Sequence, residues 1–164
     1  MDVISPRSDD DPTRSLVRSV RRIAQAVDVR SREIARLTGL TLPQLLVLQS
    51  IRALGEVSTS AISRDVSMSP PTVVAVLDRL EARGLIERYR SRTDRRIVHA
   101  RLTDPGREAL TTAPGLLRED ALARWLILPV DQRQRLADAL SVLSELMSPP
   151  PPEAAAGAEA LAKG

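Results

Sequence analysis

A chain of 164 residues is long enough for one compact domain with a real core and too short for two comfortably. It has no cysteine, one histidine (His99) and 1% aromatic residues. Disulfides, thiolate chemistry, a histidine-rich metal site and aromatic platforms for stacked single-stranded bases are thereby excluded. The formal net charge is only +3, yet residues 83 to 101 hold seven arginines (Arg83, Arg88, Arg90, Arg92, Arg95, Arg96, Arg101) against Glu87 and Asp94, a local net of +5.

Residues 1 to 12, with Asp9, Asp10 and Asp11 and little apolar content, read as a disordered leader. That stretch is acidic where a signal peptide is basic and then apolar, and no apolar run approaches the roughly 20 residues of a membrane span, so a cytoplasmic chain with no membrane partner is expected. From about 13 to 38, Leu16, Val20, Ile23, Val27, Ile34 and Leu37 form a helical stripe ending at Gly39. Thr41, Pro43 and Gln44 give the next helix an N-cap, a first-turn proline and a capping-box partner, and it stops near Gly55. Ser58 caps a short helix predicted over Thr59 to Val66, and Ser69 caps a fourth that begins with Pro70-Pro71 and buries Val73, Val76, Leu77 and Leu80.

Gly84 sits where a left-handed helix stop is needed. Strands are predicted at Leu85 to Arg90 and Arg96 to Leu102, around a turn of Ser91, Arg92, Thr93, Asp94 and Arg95. Thr103 and Pro105 start a long helix that Pro114-Gly115 kinks or interrupts before residues 116 to 128. A last helix after Pro129 carries Leu136, Leu140, Leu143 and Met147 on one stripe. Four prolines from Pro149 stop it, and residues 149 to 164 read as a disordered Pro/Ala-rich tail.

The order helix, turn, helix, basic hairpin is that of a winged helix-turn-helix. The predicted class is mainly α with a small β-hairpin wing: a single domain over 13 to 148, with a lobe at about 41 to 102 between terminal helices at about 13 to 38 and 104 to 147. Its basic hairpin is the electrostatic footprint of a duplex-DNA binder. The apolar stripes at the two ends exceed what one small core covers, which predicts a homodimer. No nucleophile motif, phosphate loop or metal spacing occurs, so no enzyme, cofactor or metal site is expected, and His99 reads as a strand-face residue.

Leu42-Pro43-Gln44, Asp78-Arg79-Leu80-Glu81, Gly84-Leu85-Ile86, Asp94-Arg95-Arg96 and Leu102-Thr103-Asp104-Pro105-Gly106 together resemble the MarR-type family of bacterial winged-helix transcription factors. The resemblance spans residues 15 to 147 in element order. It implies a homodimer with interleaved terminal helices, wings spread over double-stranded DNA, and a regulator, mostly a repressor, often released by a small aromatic or anionic effector. An alternative with the same fold is a weakly specific architectural DNA binder or an activator.

Ser69, Pro70, Pro71, Thr72 and Val74 are the candidates to face the major groove, at a helix end whose free backbone N–H groups would favour phosphate. Where the family commonly shows Thr-Val-Thr-Arg, this chain reads Thr72-Val73-Val74-Ala75, which thins hydrogen-bond readout and leaves apolar contact with thymine methyls for Val74 and Ala75. Ser58, Thr59 and Ser60 are either phosphate donors or simple caps. Arg79, Arg88, Arg90 and Arg92 are expected on phosphates. Asp94 would hold one of Arg95 and Arg96 while the other enters the minor groove. The family's effector pocket would take Val17, Arg21, Leu46, Arg118 and Trp125, although Trp125 equally suits a core anchor.

Overall fold

A computed structural model describes residues 11–91 and 96–148. The predicted leader up to residue 10, the wing-turn residues Arg92, Asp94 and Arg95, and the tail from 149 onward lie outside the described residues. The chain divides into two compact units, the first ending at Leu116 and the second starting at Leu117.

In the first unit, α1 runs Pro12–Thr38. It starts within the stretch read as leader, because Asp11 caps it: the carboxylate accepts from the Thr13 N–H at 3.0 Å, with Pro12 in the first turn. After Gly39 comes α2, Leu42–Leu54, opened by the Thr41 N–H donating to Gln44 Oε1 at 2.9 Å, the expected capping-box contact. Then follow β1 (Val57–Ser58), α3 (Thr59–Asp65), α4 (Pro70–Ala82), β2 (Ile86–Arg90), β3 (Val98–Leu102) and α5 (Asp104–Thr112).

The strands form one antiparallel sheet in the order β1-β3-β2, with Arg88 opposite Ala100 and Tyr89 opposite His99. Strand β1 was not anticipated. Two residues give no alternation to read, and Ser58 serves both as strand residue, opposite His99, and as cap of α3, accepting from the Ala61 N–H at 3.3 Å. The hairpin strands also start later than predicted, at Ile86 and Val98.

Seventeen buried aliphatic and alanine side chains from α1, α2, α3, α4, α5, the sheet and the turns at Leu40 and Leu85 make the core of this unit, among them Ile34, Leu45, Leu48, Ile62, Leu77, Leu80 and Ile86. Gly84, in the left-handed region at φ +69°, ends α4 as expected: its N–H donates to the Glu81 carbonyl and that of Leu85 to the Leu80 carbonyl, which turns the chain into β2. Gly106 is fixed by a different constraint. A Cβ there would lie 1.9 Å from the Leu85 carbonyl oxygen, so the first turn of α5 rests directly on the entrance to the hairpin.

The second unit holds α6 (Glu119–Ile127) and α7 (Val130–Met147). Residues 113 to 118 separate α5 from α6, so Pro114-Gly115 interrupts the helix rather than kinking it. Neither α6 nor α7 has a buried residue, and of the 27 residues of α1 only Ile34 is buried. Leu16, Ile23 and Leu37 on α1, and Leu136, Leu140 and Met147 on α7, lie exposed on a single chain. Among the described residues no single helix is long and apolar enough to cross a membrane.

Candidate nucleic-acid interface

The pair α3–α4 is joined by a tight turn that the sequence fixes locally. Ser67 takes φ +52°, unusual for a residue with a side chain. The turn is locked from both sides: the Met68 N–H donates to the Ser63 carbonyl at 3.2 Å and the Ser63 hydroxyl to the Met68 carbonyl at 2.5 Å. Helix α4 then begins with Ser69 Oγ accepting from the Thr72 N–H at 3.4 Å and sharing a hydrogen bond with the Thr72 hydroxyl at 2.7 Å.

This geometry corrects one expectation. Pro70 and Pro71 have no N–H, the Thr72 N–H is taken by Ser69, and the Val73 N–H already donates to the Ser69 carbonyl. From Pro70 to Val73 the first turn of α4 therefore has no spare backbone N–H for a phosphate. What this helix presents outward is side chains. Pro70, Pro71, Thr72, Val74, Ala75, Asp78 and Arg79 are exposed, and Val73, Val76, Leu77 and Leu80 face the core.

On α3, Ser58 and Thr59 are half-buried and Ser60 is exposed. Capping by Ser58 is shown; it does not stop the same hydroxyl from meeting a phosphate.

The arginines separate into two groups. Arg88, expected on phosphate, is held by carboxylates of α4: its guanidinium donates to Glu81 at 2.8 and 2.6 Å and pairs with Asp78 at 2.7 Å. Glu81 also accepts from the Arg88 backbone N–H at 3.2 Å, which pins β2 to α4. The Arg88 hydrogen bonds hold the Glu81 carboxyl below the usual carboxylate range, and Glu81 in turn raises the Arg88 guanidinium. Arg83 donates to the Gly39 carbonyl at 2.8 Å. Arg101 pairs with Glu87 and Glu56 and lies over the Tyr89 ring, which meets His99 edge-on at 5.6 Å.

Three of the seven arginines counted in the sequence thus brace the lobe. Arg90, at the end of β2, and Arg96, at the foot of the turn, remain exposed on the wing, whose base is closed by the Ser91 N–H on the Ile97 carbonyl at 2.9 Å. Arg79 is exposed on α4 and forms no ion pair among the described residues. The Arg88–Glu81–Asp78 bracket was missed in the sequence. Its signal was there, two carboxylates three residues apart on a helix followed by an arginine in a strand, but only the fold says that they meet.

Of the residues expected around an effector, Val17 and Arg21 lie along an open groove on the surface of α1, with Asp11, Arg14, Arg18 and Arg22. Leu46 is half-buried on α2 and is not among the described residues lining that groove. Arg118 precedes α6 and pairs with Asp120, and Trp125 is half-buried on α6.

A helix-turn-helix whose second helix is braced to a three-stranded sheet with a basic hairpin defines a winged helix-turn-helix protein. The profile of the MarR family matches residues 40–98. The repressor MdtR of Bacillus subtilis is 33% identical over 88 residues, 54% of this chain and 57% of that protein, so the chain spans little more than half of its length. The transcriptional regulator YhbI of the same organism is 30% identical over 109 residues, 65% of this chain and 71% of the relative. Among solved structures, that of the repressor CouR bound to a 23-mer DNA duplex is similar, with a TM-score of 0.65, 29% identity, and cover of 85% of this chain and 99% of the other. The chain belongs to the MarR family of transcriptional regulators.

Proposed function

We propose that this protein is a dimeric repressor that binds a pseudo-palindromic DNA site through two copies of α4 and of the wing, and leaves it on binding a small molecule. The observation that carries the reading is the division of labour on the lobe. An exposed face of α4, from Ser69 to Arg79, lies beside a hairpin presenting Arg90 and Arg96, and the Arg88 bracket fixes one against the other. In this reading Thr72 and Val74 meet base edges. Arg79, Arg90 and Arg92, with Ser58, Thr59 and Ser60, meet the backbone, and one of Arg95 and Arg96 enters the minor groove beside Asp94. Arg88 acts by holding the wing in place.

The dimer is supported by the exposed apolar residues of α1 and α7, since Leu16, Ile23, Leu136, Leu140 and Met147 together leave a large apolar area in water on one chain. Two-fold symmetry then asks for two half-sites about one helical turn apart, or a multiple of it. Repression is favoured because MdtR and CouR are both repressors. For release, the open groove on α1 beside Val17, where Arg21 and Arg22 lie with Asp11, is where an aromatic or aliphatic carboxylate would bind. Such a ligand acts only by binding the DNA-incompetent form more tightly.

The test is sedimentation of the protein with duplexes enriched from a random library. Two chains per duplex, and a dissociation constant rising steeply with salt, are expected. One chain per duplex, or no enriched sequence, contradicts the proposal; enrichment of a loose A/T-rich class alone favours an architectural binder.

A further inference from the structure

The outward face of α4 is poor in hydrogen-bonding chemistry. Between Pro70 and Arg79 the hydrogen-bonding side chains are Asp78, paired with Arg88, and Thr72, whose hydroxyl shares one hydrogen bond with Ser69. Pro71, Val74 and Ala75 complete the exposed surface before Arg79. Val74 is 42% exposed, whereas Val73, Val76 and Leu77, its neighbours along the same helix, are at most 6% exposed. The core does not account for an apolar branched side chain at this position.

Base pairs display donors and acceptors in the major groove, and thymine also displays a methyl group on C5. Val74 and Ala75 can return no hydrogen bond. A donor or acceptor brought against them loses water without compensation, while a methyl group brought there loses only unfavourable hydration. We propose that Val74, with Ala75 beside it, reads the C5-methyl group of a pyrimidine, which is thymine in unmodified DNA.

Because the contact is with the methyl and not with the exocyclic oxygen, 5-methylcytosine carries the same feature. The protein then distinguishes methylated from unmethylated cytosine at that position. This inference rests on α4 entering the major groove, as proposed above.

The experiment takes a duplex enriched from a random library and replaces each thymine in turn by deoxyuridine, which removes the methyl and nothing else. A second pair compares cytosine with 5-methylcytosine at the most sensitive position. Wild-type protein is expected to lose about fourfold in affinity for deoxyuridine at one thymine per half-site, the factor equivalent to ~0.8 kcal/mol for one methyl-sized group, and to prefer 5-methylcytosine over cytosine by a similar factor.

Val74→Ser, at an exposed position, should keep its melting temperature and lose both preferences. Bound duplexes indifferent to every deoxyuridine overturn the inference and leave DNA binding standing. A preference that persists unchanged in Val74→Ser also overturns it, since the methyl then acts through DNA shape or another residue. Failure to enrich any duplex is a different result, which removes the reading of α4 and this inference with it.

Discussion

Gly106 shows most sharply how one residue carries the lobe. Its missing side chain lets α5 touch the Leu85 carbonyl, where a Cβ would sit at 1.9 Å from backbone that cannot swing aside. Gly106→Ala should destabilise the protein by roughly 2 kcal/mol or more, measured as a fall in denaturation midpoint, although alanine is the better helix former. Glu81 is the second such residue. Its pKa is lowered by Arg88, so its contribution is fully present above the ordinary value of 4.5 and is lost as pH falls through the lowered folded value. Glu81→Gln should cost up to about 1 kcal/mol at neutral pH, since the pair is partly exposed. Melting curves of the two proteins should converge in acid below that range; a gap independent of pH would contradict the assignment. At this scale the sequence was readable where the chemistry is local. Asp11 aside, the caps at Ser58, Ser69 and Thr103 sit where a hydroxyl precedes a helical pattern, and each accepts the expected N–H. Arg83, Arg88 and Arg101 were not readable, because their partners at Gly39, Glu81 and Glu56 are brought near only by the fold.

The elements were read more fully than their partners. Apolar spacing and glycine or proline stops locate α1, α2, α4 and α7 to within a residue or two, whereas β1 is too short to leave a pattern. What periodicity cannot tell is which stripe is core and which waits for another surface. The stripe of α4 is buried in its own unit, and those of α1 and α7 are largely exposed on one chain. If a second copy covers α7, Leu140→Glu should convert dimer to monomer in sedimentation velocity runs while helical content is kept. An unchanged dimer would place the interface elsewhere. The hairpin supports a prediction of its own. Arg90→Ala should weaken binding to all duplexes alike and lower the slope of log affinity against log salt by about one. Arg88→Met should instead lower stability.

At the scale of the whole molecule, an aliphatic core presents one helix and one basic hairpin, and the terminal helices hold apolar faces that a single chain leaves in water. The fold class was legible because element order and motif spacing agree. The outward face of α4 was legible in position, and its chemistry, with Val74 and Ala75 exposed, names no hydrogen-bonding partner among the bases. Whether such a face still selects sequence is the central claim. Fluorescence anisotropy on the duplex upstream of the protein's own gene, against a shuffled duplex of equal length across a salt series, tests it directly. The account predicts a preference for the native duplex on the order of a thousandfold with a steep salt slope. Equal, weak binding to both duplexes, and to any sequence enriched from a random library, would contradict it.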